Sequence, residues 1–320
     1  HSDFGITDNF FAIGGHSLLT MSMGQLVQNR LDLDVPVYLY FSHPTIRELA
    51  CQLLDRHSSS VPGDDTGPDL ERGIAVHALP PPVQRALAQQ RVFLERWPGQ
   101  LAAGHQFVRM LGERESTHRL FWCFQGSNEH ELLTRHLEPE VSVYGMRSLH
   151  ETDDAKVIYA APALLATVAG LYAREVMDLS GTSTPLVVGG NCQAAWVAHA
   201  MAQQLVGCGY TVGRLLLMEL RMLELEKGRL SWDGPVTLIW GRDSSHNPFS
   251  SAHRPSSRRL RVLKRLAPPV YVAVIRSRLQ RVFTGELDIS IVPGVHGAFF
   301  LSQNIEGLAA VVKGCVLNMA

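Results

Sequence analysis

The 320-residue chain is long enough for two domains or for one large domain with an appendage, and its 46% hydrophobic content supplies ample apolar material for a core. Mean hydropathy is +0.02 and no apolar run reaches about 18 residues, which argues against a bilayer-spanning segment. Lys and Arg total 29 against 30 Asp and Glu, so no global charge excess draws the chain to nucleic acid or to an acidic membrane surface. Five cysteines (Cys51, Cys123, Cys192, Cys208 and Cys315), an odd count without C-x-x-C spacing and without a leading apolar segment, fit a reducing, cytoplasmic setting and not a disulfide scaffold or zinc ribbon.

Residues 8–19 read DNFFAIGGHSLL. A Gly pair, then His16 and Ser17, then an amphipathic run from Leu18 to Leu31 place Ser17 at a helix start with its hydroxyl exposed. Position alone reads Ser17 as an N-cap. The whole string, however, resembles the phosphopantetheine attachment motif of nonribosomal-peptide carrier domains, D-x-F-F-x-L-G-G-H-S-L. FSHPTIRELA at 41–50 is similar to the third and fourth helix region of that family. The resemblance covers residues 3–56. It implies a small all-α carrier bundle over 1–57 with 4'-phosphopantetheine covalently on Ser17, and an exposed helix start suits that anionic phosphodiester. Carrier domains open with a helix well before the Gly pair. Sixteen residues precede Ser17 here, so that first helix is expected to be missing from this sequence.

At 58–72, SSSVPGDDTGPDLER replaces apolar periodicity with Ser, Pro, Gly and Asp, the composition of a flexible linker. Beyond it, over 73–320, short apolar runs alternate with helical patterns. The runs are LFWCF (120–124), VSVYGM (141–146), TPLVVGG (184–190), RLLLMEL (214–220), PVTLIWG (235–241) and LDISIVPG (287–294). Apolar residues at helical spacing fill 155–178 and 192–206, and 303–318 can close the domain as a last helix. Such alternation predicts an α/β domain with a mostly parallel sheet covered on both faces.

The segment TPLVVGGNCQAAWVAHAM runs from a β-branched strand through Gly189 and Gly190 into a helical pattern, with Cys192 at the bend. Strand, tight turn and helix are the context of a nucleophile elbow, here Gly190-Asn191-Cys192-Gln193-Ala194, with Cys for Ser and Ala for the second Gly. The helix N-terminus favours a thiolate at Cys192. The other four cysteines read as inert buried residues. A base must follow in the chain, and only His199, His246, His253 and His296 do so. His199 lies along the same helix, and His246 and His253 sit in a polar loop. His296, in VPGVHGAFF after the last predicted strand and flanked by Gly294 and Gly297, occupies the place of an α/β-hydrolase base.

Two residues fit the orienting acid. Glu219 ends RLLLMEL and Asp243 follows PVTLIWGR, and parallel strands deliver both to one sheet edge. The Gln193 N–H is the expected first oxyanion donor, with Gly126 or Ser127 in FQGSNE (124–129) as the second. Other chemistries lack their motifs: the glycines at 207, 209 and 213 precede a strand instead of following one, and neither G-x-x-x-x-G-K nor H-E-x-x-H is present, so no metal is expected.

Residues 73–320 resemble a thioesterase domain of nonribosomal peptide synthetases, most closely a subgroup with a cysteine nucleophile that includes monobactam synthetases. The resemblance implies a terminal carrier–thioesterase pair with an α/β-hydrolase fold and a lid insertion. LLLMEL is similar to the family's L-L-x-D-S string, which favours Glu219 as the acid with Asp243 as the alternative. It further implies a peptidyl thioester as substrate, a phosphopantetheinyl transferase and upstream condensation and adenylation domains as partners, and neither nucleic acid nor membrane. The implied reaction is transfer of the peptidyl group to Cys192 followed by release through cyclisation, with β-lactam formation expected and hydrolysis or macrocyclisation as alternatives. A reading of another class is a non-catalytic docking module with a decayed elbow. Retention of His296 and Glu219 argues against it. From Ser251 to Val282 there are nine basic residues and no acidic one. The ordinary reading is a solvated helix face; the functional one is that cations such as Arg258, Arg259 and Arg261 in a lid contact substrate or phosphate.

Overall fold

The computed structural model describes residues 5–10, 45–50, 79–102, 105–111, 116–126, 128–226 and 230–318, together with Met23, Leu26, Val27 and Arg30. Ser17, Cys51, Ser127 and the 58–72 stretch lie outside the described residues. In chain order the elements are α1 (Pro81–Arg96), β1 (Gln100–Leu101), β2 (Arg109–Met110), β3 (Arg119–Phe124), α2 (Glu129–Leu137), β4 (Ser142–Arg147), α3 (Ala155–Ala160) and α4 (Pro162–Leu179). There follow β5 (Leu186–Asn191), α5 (Ala194–Gly207), β6 (Val212–Met218), α6 (Met222–Glu226), β7 (Val236–Gly241), α7 (Arg258–Leu266), α8 (Pro268–Val282), β8 (Leu287–Val292) and α9 (Ile305–Leu317).

The chain forms two compact units, 1–97 with 149–164 and 98–148 with 165–320. In the first, residues 46–50 are helical and start on a capping box: the Glu48 N–H donates to Thr45 Oγ1 (3.2 Å) and the Thr45 N–H to Glu48 Oε2 (3.3 Å). Helix α1 opens with proline, whose missing N–H has no partner to lose at that position. It buries Val83, Ala86 and Phe93 and packs with α3. Arg85 grips Asp154 at two points, 2.9 and 2.7 Å, which ties the 149–164 segment to this helix.

The second unit is built on an eight-stranded sheet in the order β1-β2-β4-β3-β5-β6-β7-β8. Strands β3 to β8 pair in parallel, and β1 and β2 add an antiparallel edge. The central strands are buried along their whole length, which is why they read as continuous apolar runs instead of alternating ones. Helix α5 packs on β3, β5 and β6, while α9 packs with α2 and on β6 and β8. This is the α/β-hydrolase arrangement. The order reverses between β3 and β5, because β3 leads outward to β4 and the chain returns to β5 on its other side. The carboxyl ends of β3 and β5 are therefore the switch point of the sheet, the place where open parallel sheets bind ligands.

All six expected strands form, shifted by no more than a few residues. The two-residue strands β1 and β2 were too short to carry a pattern. The helical run expected at 155–178 is broken at Ala161 into α3 and α4, since Pro162 offers no N–H to continue the ladder. Helices α7 and α8 occupy the connection between β7 and β8, where the basic insertion was expected. A loop on the far side is fastened by one buried carboxylate: Glu175 of α4 accepts the N–H groups of Gln106 (2.7 Å), Phe107 (2.9 Å) and Val108 (2.8 Å). No helix among the described residues is long and apolar enough to cross a membrane.

Candidate active site

Strand β5 ends at Asn191, and the chain turns through Cys192 into α5 with a φ of 54° at the cysteine. The Cys192 N–H still donates to Met218 O (2.8 Å), so sheet register runs right up to the thiol-bearing residue. The turn is tight for a physical reason visible at Gly190: a Cβ there would lie 2.7 Å from Ala194 O. Only glycine lets the helix fold back this closely on the strand. Cys192 is half-buried and stands at the N-terminal end of α5.

His296 sits in the loop after β8 between Gly294 (φ 109°) and Gly297 (φ 84°). Its Nε2 lies 3.8 Å from Cys192 Sγ and its Nδ1 lies 3.0 Å from Glu219 Oε2. The Glu219 side chain is 1% exposed. It follows β6 with a φ of 62°, which makes Cys192 and Glu219 the left-handed non-glycine residues of the described chain. Both carboxylate oxygens are occupied: Oε1 accepts the Gly241 N–H (2.8 Å) and Oε2 accepts the Ser244 hydroxyl (2.7 Å) besides His296. Burial acts to lower the His296 pKa, but the bonds and charges of Cys192 and Glu219 outweigh it and raise it to about 10. An imidazolium is thus held between a thiol sulfur and a buried carboxylate.

Asp243, the alternative acid, stands exposed in the turn after β7 and makes no hydrogen bond to His296; its N–H donates to Gly294 O at 3.2 Å. A residue that sequence reasoning left in a polar loop joins the site instead. His246 lies against His296 with ring centroids 4.2 Å apart and the rings tilted by 47°, its Nδ1 donates to Glu219 O (3.0 Å), and its Nε2 accepts from Arg221 Nε (3.2 Å). Burial first, then the charge of His296, lower its pKa. The Ser-Ser-His-Asn-Pro turn after β7 was the only signal that this loop folds back under the acid. Glu219, His246 and His296 together present ligand atoms within 4.8 Å of one another, a spacing that could hold a metal ion.

At the carboxyl end of β3, Glu129 reaches back to its own loop. Its carboxylate accepts the Gln125 N–H (2.9 Å) and engages the Gly126 backbone, and it faces the Asn191 amide at 3.3 Å. Asn191 Oδ1 in turn accepts the indole N–H of Trp122 (3.2 Å). Burial raises the Glu129 pKa against these bonds. Gly126, expected as an oxyanion donor, is therefore committed to Glu129, because the carboxylate lies directly beneath it. Ser127 lies outside the described residues. The Gln193 N–H, at the start of α5, has no acceptor among the described residues.

The remaining expected groups lie elsewhere. His199 is buried on α5 against Ser231 O (2.9 Å). Cys123 is buried in β3 and Cys315 half-buried, burial raising both thiol pKa values, whereas Cys208 is exposed at the end of α5, not buried as expected. Arg258, Arg259 and Arg261 stand exposed on α7, whose buried residue is Leu260.

Residues 1–52 match the family described as phosphopantetheine attachment site. The chain is 48% identical over 54 residues to surfactin synthase subunit 2 of Bacillus subtilis (strain 168), covering 17% of this chain and 2% of that protein. It is 26% identical over 217 residues to the probable non-canonical nonribosomal peptide synthetase CymA of Salinispora arenicola (strain CNS-205), covering 67% of this chain and 2% of that protein. Among solved structures it is similar to the NocB thioesterase domain in covalent complex with a fluorophosphonate nocardicin G analogue, at 17% identity and a TM-score of 0.47, covering 66% of this chain and 99% of that one. Residues 1–52 thus carry a phosphopantetheine-attachment match, and the strand order beyond them is that of an α/β-hydrolase fold. The chain spans about 2% of the length of the synthetases named.

Proposed function

We propose that this chain is the terminal carrier–thioesterase pair of a nonribosomal peptide synthetase and that Cys192, His296 and Glu219 release the finished peptide. The observation that supports it is the Sγ···Nε2 and Nδ1···Oε2 alignment of these three side chains at the carboxyl edge of a parallel sheet. Ser17 is the attachment residue for the 4'-phosphopantetheine arm within the matched carrier domain.

In this reading the Cys192 thiolate attacks the thioester carbonyl presented by the carrier. A C–S bond forms to Cys192, the Gln193 N–H receives the oxyanion, and collapse breaks the bond to the leaving thiolate, which takes the proton of His296. Neutral His296, oriented by Glu219, then accepts the proton of the second nucleophile as that nucleophile displaces Cys192. The imidazolium–thiolate pair is restored. Transfer between two thiols is nearly isoenergetic, so the acyl group on Cys192 stays activated, whereas an oxoester on serine would be more stable. A retained thioester suits closure of a strained ring by a poor nucleophile. The finer reading is therefore intramolecular aminolysis to a β-lactam.

Mass analysis of the protein loaded on Ser17 with an acyl-pantetheine tests this. Acyl transfer to the Cys192 peptide is expected under turnover, and its absence from the intact protein overturns covalent catalysis. With a peptidyl thioester bearing a β-amino group the expected product is the lactam; free acid alone overturns the ring-closing outcome.

A further inference from the structure

We infer that the cavity beside His246 selects an acyl chain carrying an oxyanion, with Arg221 and Arg254 as the residues that read it. The inference rests on the acyl-transfer reading and adds a substrate class to it. The cavity measures about 370 Å³, within the range that accommodates a small ligand or a peptide side chain. Leu260, Tyr271 and Ile275 form its apolar wall, Arg221, His246 and Arg254 are among its polar ones, and no Asp or Glu lines it. One wall is shared with the chemistry, since the His246 ring lies 4.2 Å from that of His296.

The cations near this cavity divide by what they already hold. Lys264 Nζ donates to Ser250 O and His253 O, both at 2.6 Å, and so fixes the loop that carries Arg254. Arg258, Arg259 and Arg261 do not line it, whereas Arg221 and Arg254 do, both with exposure to solvent. Arg221 uses Nε on His246 and keeps both Nη groups, and neither Arg221 nor Arg254 has a carboxylate partner among the described residues. Two guanidinium groups that line one cavity and hold no carboxylate present N–H groups that a carboxylate or similar oxyanion entering it can accept. The apolar wall suits the chain that carries the anion better than it suits a phosphate alone.

The test uses the whole chain and N-acetylcysteamine thioesters of one short peptide, which lack any phosphate, with Glu or its neutral isostere Gln among the two residues nearest the thioester. The expected result is a kcat/KM at least about tenfold higher for the Glu chain, equivalent to about 1.4 kcal/mol, with that ratio falling toward one in Arg254→Gln and in Arg221→Gln. Arg254→Glu is expected to favour a Lys-bearing chain. Equal kcat/KM for the Glu and Gln chains, with both acylating Cys192, overturns the inference and leaves the acyl-transfer reading standing. Failure of both chains to acylate Cys192 overturns that reading and the inference with it. An Arg254→Gln defect confined to acyl groups presented on phosphopantetheine assigns the cation to the arm's phosphate and overturns selection of the acyl chain.

Discussion

Glu219 Oε2 lies 3.0 Å from His296 Nδ1 while Asp243, one strand further along the chain, stays exposed. Glu219→Gln keeps the shape but presents an amide where the imidazolium needs a charge. Its kcat is expected to fall by about 10²- to 10⁴-fold, as for loss of a triad acid, while Asp243→Asn stays within about twofold of the unaltered enzyme. Steady-state turnover of one thioester by both variants checks this, and the reverse pattern would transfer the acid's role to Asp243.

The raised pKa of His296 links protonation to stability. Its folded value, about 10, lies above the ordinary imidazole value of 6.5, so its contribution is complete below pH 6.5 and is lost as pH rises through about 10. Cys192→Ala removes one of the two raising partners. In denaturant titrations from pH 6 to pH 10, the midpoint of the unaltered protein is expected to fall more steeply than that of Cys192→Ala.

Replacing the thiol by a hydroxyl separates the two half-reactions. Cys192→Ser forms an oxoester, a poorer acyl donor to an amine, and puts a hydroxyl, a weaker nucleophile than the thiol it replaces, beside His296. Acylation is expected to slow and the oxoester adduct, once formed, to persist. Single-turnover mass analysis would show a long-lived adduct in the variant against a transient one in the unaltered protein.

Glu129 holds the loop after β3 and faces Asn191, the residue before the nucleophile. Glu129→Ala leaves the Gln125 and Gly126 N–H groups without their acceptor, an expected cost of about 1–3 kcal/mol. A fall in kcat larger than the change in KM is expected as the loop shifts at the oxyanion position, with Glu129→Gln, which retains one acceptor oxygen, recovering part of both losses. Unfolding midpoints and the kcat against KM split measure the two effects separately.

Much of the site was legible because its signals are local. The apolar runs, the Gly190-x-Cys192-x-Ala194 string and the glycines flanking His296 each declare a strand end or a tight turn within a few residues. Parallel topology then brings such ends to one edge. His246 was not legible, since its role depends on a polar turn folding beneath Glu219, a contact across 27 positions that no periodicity encodes. The same holds for Glu129 and Asn191, which meet across the β3–β5 pairing. The basic insertion was visible as composition, but which cations line the cavity was not: on α7 the buried Leu260 fixes the rotation and turns Arg258, Arg259 and Arg261 away, while Arg221 comes from a different connection.

The left-handed backbone at Cys192 and at Glu219 has a consequence for how this domain can be improved. An L side chain in that conformation costs roughly 1–2 kcal/mol, and here both costs fall on residues to which the proposed reaction assigns a role, the thiol and the carboxylate. At Glu219 glycine would relieve that cost but leave the buried Gly241 N–H and Ser244 hydroxyl without their acceptor, so selection for thermostability alone would drift toward glycine at the half-buried Cys192 and discard the proposed nucleophile. Any engineering campaign on this scaffold has to screen for turnover alongside melting temperature, because the most accessible gains in one are losses in the other.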